Sequence, residues 1–319
     1  MLKYKTYVKI LFFILVSFVI GSFIYIYFYS KHYPIPIFHR ASLDAKMRFI
    51  RDLDDLERFD TAIIGSSIGL NNLQGIVLED ASKKVNNVIN LSSLGLKMTQ
   101  IEQLLELVPL FPNVKRIILS AELEDFSQVF FFEESKINFA KKYTQLGKQT
   151  IDLKSMVYTF KHLIEFTKNH WKWEKEYAPS NTNYCLSFDR TGSVALHIYG
   201  KDINQRRWHT PPPLFQGKAN YKALNRVAKL FNDKGILFYF IVQPYRIPLL
   251  EKHQDLKEVR DDFSKRTKKI VEKYNGKFLE LHDKMKLSDD YFVDREHLND
   301  KGSMLTAKEA AKFIDVSEQ

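Results

Sequence analysis

Five short apolar runs separated by helix-length stretches constrain this chain more than any other feature. They lie at 61–64 (TAII), 87–91 (NVINL), 114–120 (VKRIILS), 236–242 (ILFYFIV) and 277–281 (KFLEL). Each is too short for a buried helix and too continuously apolar for a strand with one wet face, so each predicts a strand covered on both sides. Between them, Ile101, Leu104, Leu105 and Val108 recur at helical spacing until Pro109 and Pro112 end the pattern. Further helices are predicted over 221–233, stopped by Gly235, over 255–274, and from Asp300 to Ile314. Strand–helix–strand alternation predicts an α/β domain with a parallel sheet and helices on both faces. With 319 residues and 45% hydrophobic content, the chain has enough apolar material for one good-sized core and an inserted subdomain. The insertion falls at about 126–213, where the rhythm lapses and aromatic and basic residues crowd together. A cap over the carboxyl ends of the strands suits it, because open α/β sheets bind ligands there.

Ahead of this domain, residues 10–29 read ILFFILVSFVIGSFIYIYFY without a charge. Twenty such residues match the hydrocarbon thickness of a bilayer. The run ends in Tyr25, Tyr27 and Tyr29, followed by Lys31 and His32, which reads as an aromatic belt at the end of an uncleaved anchor rather than a signal peptide. Lys3, Lys5 and Lys9 precede the span, so the positive-inside rule places the N-terminus inside and the large domain outside the plasma (inner) membrane as a single-pass protein. The expected organisation is a cytoplasmic stub and anchor over 1–30, then over 31–57 an extended stalk containing Pro34 and Pro36 with a polar helix at 43–56. The α/β domain covers 58–319. The net charge of +10 suits an anionic membrane surface or a polyanionic envelope polymer, and no nucleic-acid motif accompanies it. Cys185 is the single cysteine, which excludes an internal disulfide framework. His197 and His209 have no partner at metal-ligand spacing, so neither a metal nor a cofactor is expected.

Three places that carry chemistry fall just after predicted strands. Gly65-Ser66-Ser67-Ile68-Gly69 is a tight turn that can push a serine hydroxyl out of the sheet edge, with the following backbone N–H available for an oxyanion. Gly95 follows the second strand and can offer another N–H. Asp294 and His297 stand three residues apart at the mouth of the last helix, close enough for the carboxylate to orient an imidazole that takes the serine proton. Trp171, Trp173, Tyr177, Tyr199 and Trp208 could stack on sugar rings. Arg206, Arg207, His209 and, after the fourth strand, Arg246 could meet anionic groups of a substrate.

In this order the turn serine, the glycine and the Asp-x-x-His pair resemble the SGNH (GDSL-like) hydrolase superfamily, over about residues 58–316 without the insertion. The resemblance implies a three-layer α/β/α, flavodoxin-like sheet. It also implies Ser67 as nucleophile, Asp294 and His297 as the acid–base pair, and the Ser67 and Gly95 N–H groups as oxyanion donors. Ser66 stands where the family has Asp, a change similar to the membrane-anchored branch that includes teichoic-acid D-alanyl transfer proteins and polysaccharide O-acetyltransferases. The family's oxyanion asparagine has no counterpart in Ser120–Asp125. The turn also fits the nucleophile elbow of α/β-hydrolases, but there several strands precede the serine and the acid and histidine come from separate loops. The implied function is an esterase or acyltransferase acting on acyl groups of envelope polysaccharide or teichoic-type polymer, with a membrane acyl-donor protein as a possible partner. The alternative is a non-catalytic assembly or binding protein on a degraded SGNH scaffold.

Overall fold

A computed structural model describes residues 2–147, 151–176 and 188–319. In chain order, helices α1 (Leu2–Tyr29) and α2 (Ala41–Arg51) precede strand β1 (Thr61–Gly65). Two short helices, α3 (Ser67–Asn71) and α4 (Gly75–Ala81), lead to β2 (Val88–Asn90), α5 (Met98–Leu104) and β3 (Arg116–Ala121). Then come α6 (Glu134–Thr144), α7 (Leu153–Lys161), α8 (Leu163–Glu176) and α9 (Gln205–His209). The chain continues through α10 (Lys218–Asp233), β4 (Leu237–Val242), α11 (Ile247–Lys252) and α12 (Gln254–Glu272). It finishes with β5 (Lys277–Glu280), α13 (Leu281–Met285) and α14 (Asp300–Ser317).

All five strands are parallel, in the order β2-β1-β3-β4-β5. The chain starts in the sheet, winds to one edge and then returns to build the other side. The crossovers on the two sides of β1 therefore diverge, and a crevice opens between the carboxyl ends of β1 and β3. Gly65 lies opposite Ser120 in that pair, so the segment from Ser66 and the segment from Glu122 both open into the crevice. On one sheet face Ile63, Ile118, Tyr239 and Ile241 pack against Ala307, Ala310, Ala311 and Ile314 of α14. Side chains alternate along a strand, and on the opposite face Phe240 joins Phe126, which also meets Tyr221 of α10 and Phe263 of α12. The three-layer arrangement expected from the sequence is the one observed. The strands start and stop within two residues of their predicted limits. The helix predicted through Val108 divides: α5 gives way to a 3-10 turn at Leu105–Leu110, which contains Pro109 and its missing N–H.

The chain forms two compact units, one from Met1–Asp54 with Asn138–Ala178, the other from Asp55–Ile137 with Pro179–Gln319. The single cap expected over 126–213 is thus divided, because residues 138–178 cluster with the N-terminal segment. The physical reason is aromatic packing within that unit: Phe23 of α1 stacks on Phe160 of α7 at 5.1 Å, and the Tyr25 hydroxyl meets His170 Nδ1 at 2.7 Å. Tyr25 and Tyr29 therefore turn toward His170 of α8, while Tyr27 stays exposed with the Lys31 ammonium 3.9 Å from its ring centre. The segment expected as an extended stalk is buried instead, with Ile35, Ile37 and Phe38 inside the unit and the Tyr158 hydroxyl donating to the carbonyls of Pro36 and Ile37. The helix after it ends at Arg51 rather than Leu56. Along Tyr4–Tyr29, 26 residues of helix are long and apolar enough to cross a membrane, and most of their large side chains point outward. Tyr177, Cys185 and the side chain of Trp173 lie outside the described residues.

Gly65 tests the β1–β3 contact. A Cβ there would sit 2.4 Å from the Ser120 carbonyl oxygen, and backbone cannot yield as a side chain can. Gly65→Ala should lower stability by about 1–3 kcal/mol, the usual cost of overpacking, read as a lower urea midpoint for the detergent-solubilised chain.

Candidate active site

Residues of β1 end at Gly65, and the next two serines divide the work of the turn. Ser66 is fully buried; its hydroxyl accepts the Ile68 N–H at 3.2 Å, capping α3, and hydrogen-bonds the Asp125 carboxyl group. Ser67 is left as the first helical residue, facing the crevice. Gly69 lets α3 press onto the β2 loop, since a Cβ there would lie 2.5 Å from Ser92 Oγ.

The partner loop is shaped by one carboxylate. Asp294 Oδ1 accepts the N–H groups of Glu296 at 3.0 Å and His297 at 2.8 Å, folding the loop back on itself. Its two oxygens also lie 3.0 and 2.9 Å from His297 Nδ1, while His297 Nε2 is 2.8 Å from Ser67 Oγ. A carboxylate can only accept, so Nδ1 carries the proton and Nε2 is free to accept from the Ser67 hydroxyl. The structure thus brings together all three residues singled out in the sequence, although 230 positions separate Ser67 from His297.

A side chain that sequence reasoning missed aligns the two segments. Asn72, fully buried, donates to the Glu296 carbonyl at 2.8 Å and accepts the Leu298 N–H at 2.9 Å, gripping the backbone on both sides of His297. Thr306 of α14 donates to the Asn72 carbonyl at 2.5 Å. Nothing in a single sequence distinguishes this asparagine from a turn residue. Asn71 was missed as well, but it carried a signal: it follows Ser67 by four residues and so shares its helix face. It is 2% exposed, lies on the pocket wall, and its Oδ1 has no hydrogen-bond partner.

The pocket beside Ser67 has a volume of about 500 Å³. Gly95, Asn71, Lys97, Glu124 and Arg207 are among its polar wall, with Leu94, Leu196, Ile198 and Val293 supplying apolar surface. Gly95 adopts φ 67°, a left-handed conformation natural to glycine. Of the candidate substrate residues, Arg207 reaches this wall, but it is already engaged: Nε lies 3.1 Å from Asp294, and Nη2 pairs with Glu296 and, at 3.4 Å, with Glu124. Arg206 is exposed and does not line the pocket. Arg246 and Trp208 lie elsewhere. The buried Arg246 guanidinium sits 3.6 Å from the Trp208 ring centre and binds Asp289 at 3.0 and 2.6 Å, so it ties loops together instead of presenting charge to the pocket. Tyr199 hydrogen-bonds Asp300, and Trp171 is exposed in the other unit.

Burial by itself would keep Asp294 protonated, but His297, Arg207 and backbone N–H groups outweigh it and hold the carboxyl well below the usual range. Burial likewise disfavours charge on His297, yet the Asp294 carboxylate reverses this and raises the imidazole above its ordinary value. Glu296 is pushed up to about 7 by burial despite Arg295, and its Oε2 accepts from the Tyr245 hydroxyl at 3.0 Å. Asp294, Glu296 and His297 are close enough to share a cation. Both His297 nitrogens are committed, however, and the guanidinium groups of Arg207 and Arg295 already face the carboxylates.

No protein family and no curated protein matches the chain's sequence. Among solved structures, the chain is similar to the lipase/acylhydrolase from Enterococcus faecalis at 10% identity and a TM-score of 0.40, over 81% of this chain and 97% of that one. Likeness at that level adds nothing on function, which rests on the site itself.

Two outcomes follow from this geometry. Asn72→Ala orphans two buried backbone groups and should cost about 1–3 kcal/mol for each, read as a lower urea midpoint. The raised His297 pKa makes a stabilising contribution that is complete below its unfolded value of 6.5 and is lost as pH rises through the folded value. The stability advantage of wild type over His297→Gln, measured by urea unfolding, should therefore shrink from pH 6 toward alkaline pH.

Proposed function

We propose that this chain is a membrane-anchored serine esterase or acyltransferase of SGNH type, with Ser67 as nucleophile, His297 as base and Asp294 as its orienting acid. One observation carries the reading: the hydrogen-bonded series Asp294–His297–Ser67, with both links at 2.8–3.0 Å, opening onto a pocket. Ser67 Oγ attacks the acyl carbonyl and its proton passes to His297 Nε2. The leaving alcohol takes that proton as the acyl–oxygen bond breaks, leaving an acyl-serine. Water or a sugar hydroxyl then attacks, gives its proton to His297, and Ser67 recovers it as the acyl group departs. Backbone N–H groups of Ser67 and Gly95 serve the oxyanion, and we assign the Asn71 amide as the side-chain donor that the segment after β3 lacks. The apolar span and the net charge of +10 favour acyl groups on an anionic envelope polysaccharide or teichoic-type polymer, with the N-terminus inside, the pocket outside, and a membrane protein as acyl donor. A non-catalytic polymer-binding role has one observation in its favour, the Glu124 carboxylate on the pocket wall, which repels an oxyanion.

A fluorophosphonate probe decides between them. Wild type and Ser66→Ala should be labelled and Ser67→Ala should not; labelling of Ser67→Ala, or an inert wild type, overturns the reading. Asn71→Ala should slow labelling by roughly 10²–10³-fold, the effect of one oxyanion donor. The rate should rise with pH through the raised His297 pKa, and Asp294→Asn should lower both that pKa and the plateau. In intact cells the chain should sediment with membranes and leave them in detergent but not in high salt, and external protease should reach the pocket-bearing unit.

A further inference from the structure

A second cluster of chemically competent side chains lies within the unit that contains α1. His39 precedes α2, His162 follows α7, and Glu165 is in the first turn of α8. His39 Nδ1 is 2.6 Å from Glu165 Oε2, His162 Nδ1 is 3.9 Å from the same oxygen, and the two imidazole rings are 5.1 Å apart. One ligand atom from each residue fits within 4.8 Å of the others. The side chains are 26%, 34% and 43% exposed, so an ion could enter.

The surrounding backbone holds this arrangement. His39 has φ 57°, a left-handed conformation that costs a residue with a Cβ about 1–2 kcal/mol. Asp44, buried, accepts the N–H groups of Phe38 at 2.7 Å and Arg40 at 3.2 Å, clamping the loop on both sides of His39. The His162 N–H donates to the Thr159 carbonyl at 3.0 Å, and the ring lies 4.7 Å from Tyr158. An ion pair with Glu165 needs only one histidine. A second imidazole brought to the same carboxylate by a strained loop fits a different requirement, two neutral nitrogens and one oxygen around a cation.

We propose that His39, His162 and Glu165 bind a divalent transition-metal ion of the zinc type. Two imidazoles and a carboxylate match a three-ligand zinc site, with water in the fourth position. The ion would tie the loop after the anchor to the α7–α8 junction within this unit. Full-length protein in detergent, stripped with a chelator, should take up one Zn²⁺ per chain by calorimetry and unfold at a higher temperature with it. Co²⁺ should give the visible absorption of a low-coordinate nitrogen–oxygen site. His39→Ala and Glu165→Gln should each weaken Zn²⁺ binding about a hundredfold or more, beyond the 10–100-fold typical of outer-shell partners, and abolish the Co²⁺ band. His297→Ala should bind like wild type, which separates this site from the serine pocket. Equal Zn²⁺ affinity in wild type, His39→Ala and Glu165→Gln overturns the proposal. So does a wild type that ignores Zn²⁺ while the variants simply unfold at lower temperature, the result expected of an ion pair only.

Discussion

Asn72 is the contact on which the serine pocket depends. A histidine near one end of a domain and a serine near the other meet only if their backbones are held in register. Here one amide does this by pairing with the carbonyl before His297 and the N–H after it. The amide donates and accepts at once, which an ionised aspartate of the same size cannot do. Asp294 then needs only to shape its own loop, because the loop's position relative to α3 is already fixed.

The same region concentrates charge in a way that limits what can enter it. Asp294, Glu296 and Glu124 face Arg207 and Arg295, and Lys97 donates to the Glu124 carbonyl at 2.7 Å. Charges removed from water must be paired, and removing one partner is costlier than the pair is favourable. Arg207 thereby links α9, on the pocket wall, to the histidine loop. An anionic group on a substrate would have to compete with Glu296 and Asp294 for that guanidinium.

Much of the sheet domain was legible because it depends on local patterns. Continuous runs such as 236–242 can only be strands covered on both faces, and Ser67, Asp294 and His297 each follow or precede elements that the pattern locates. Arg246 and Trp208 were misplaced for the opposite reason. Residue type suggests a ligand, but whether a guanidinium meets a substrate or Asp289 depends on a loop brought from elsewhere. The division of 126–213 was hidden likewise, since Phe160 and His170 find their partners on α1, more than a hundred residues earlier. Asn72 could not be read at all, because its role exists only when the two ends of the domain are together.

That separation has a consequence for the newborn chain. Ser67 leaves the ribosome 230 residues before the imidazole that lies 2.8 Å from it, and Asn72, which grips the loop bearing that imidazole, is itself held by Thr306 of α14. Until the ribosome has released that stretch, the serine has no imidazole beside it. The Asp294–His297–Ser67 arrangement can therefore form only after the segment through Thr306 has left the ribosome.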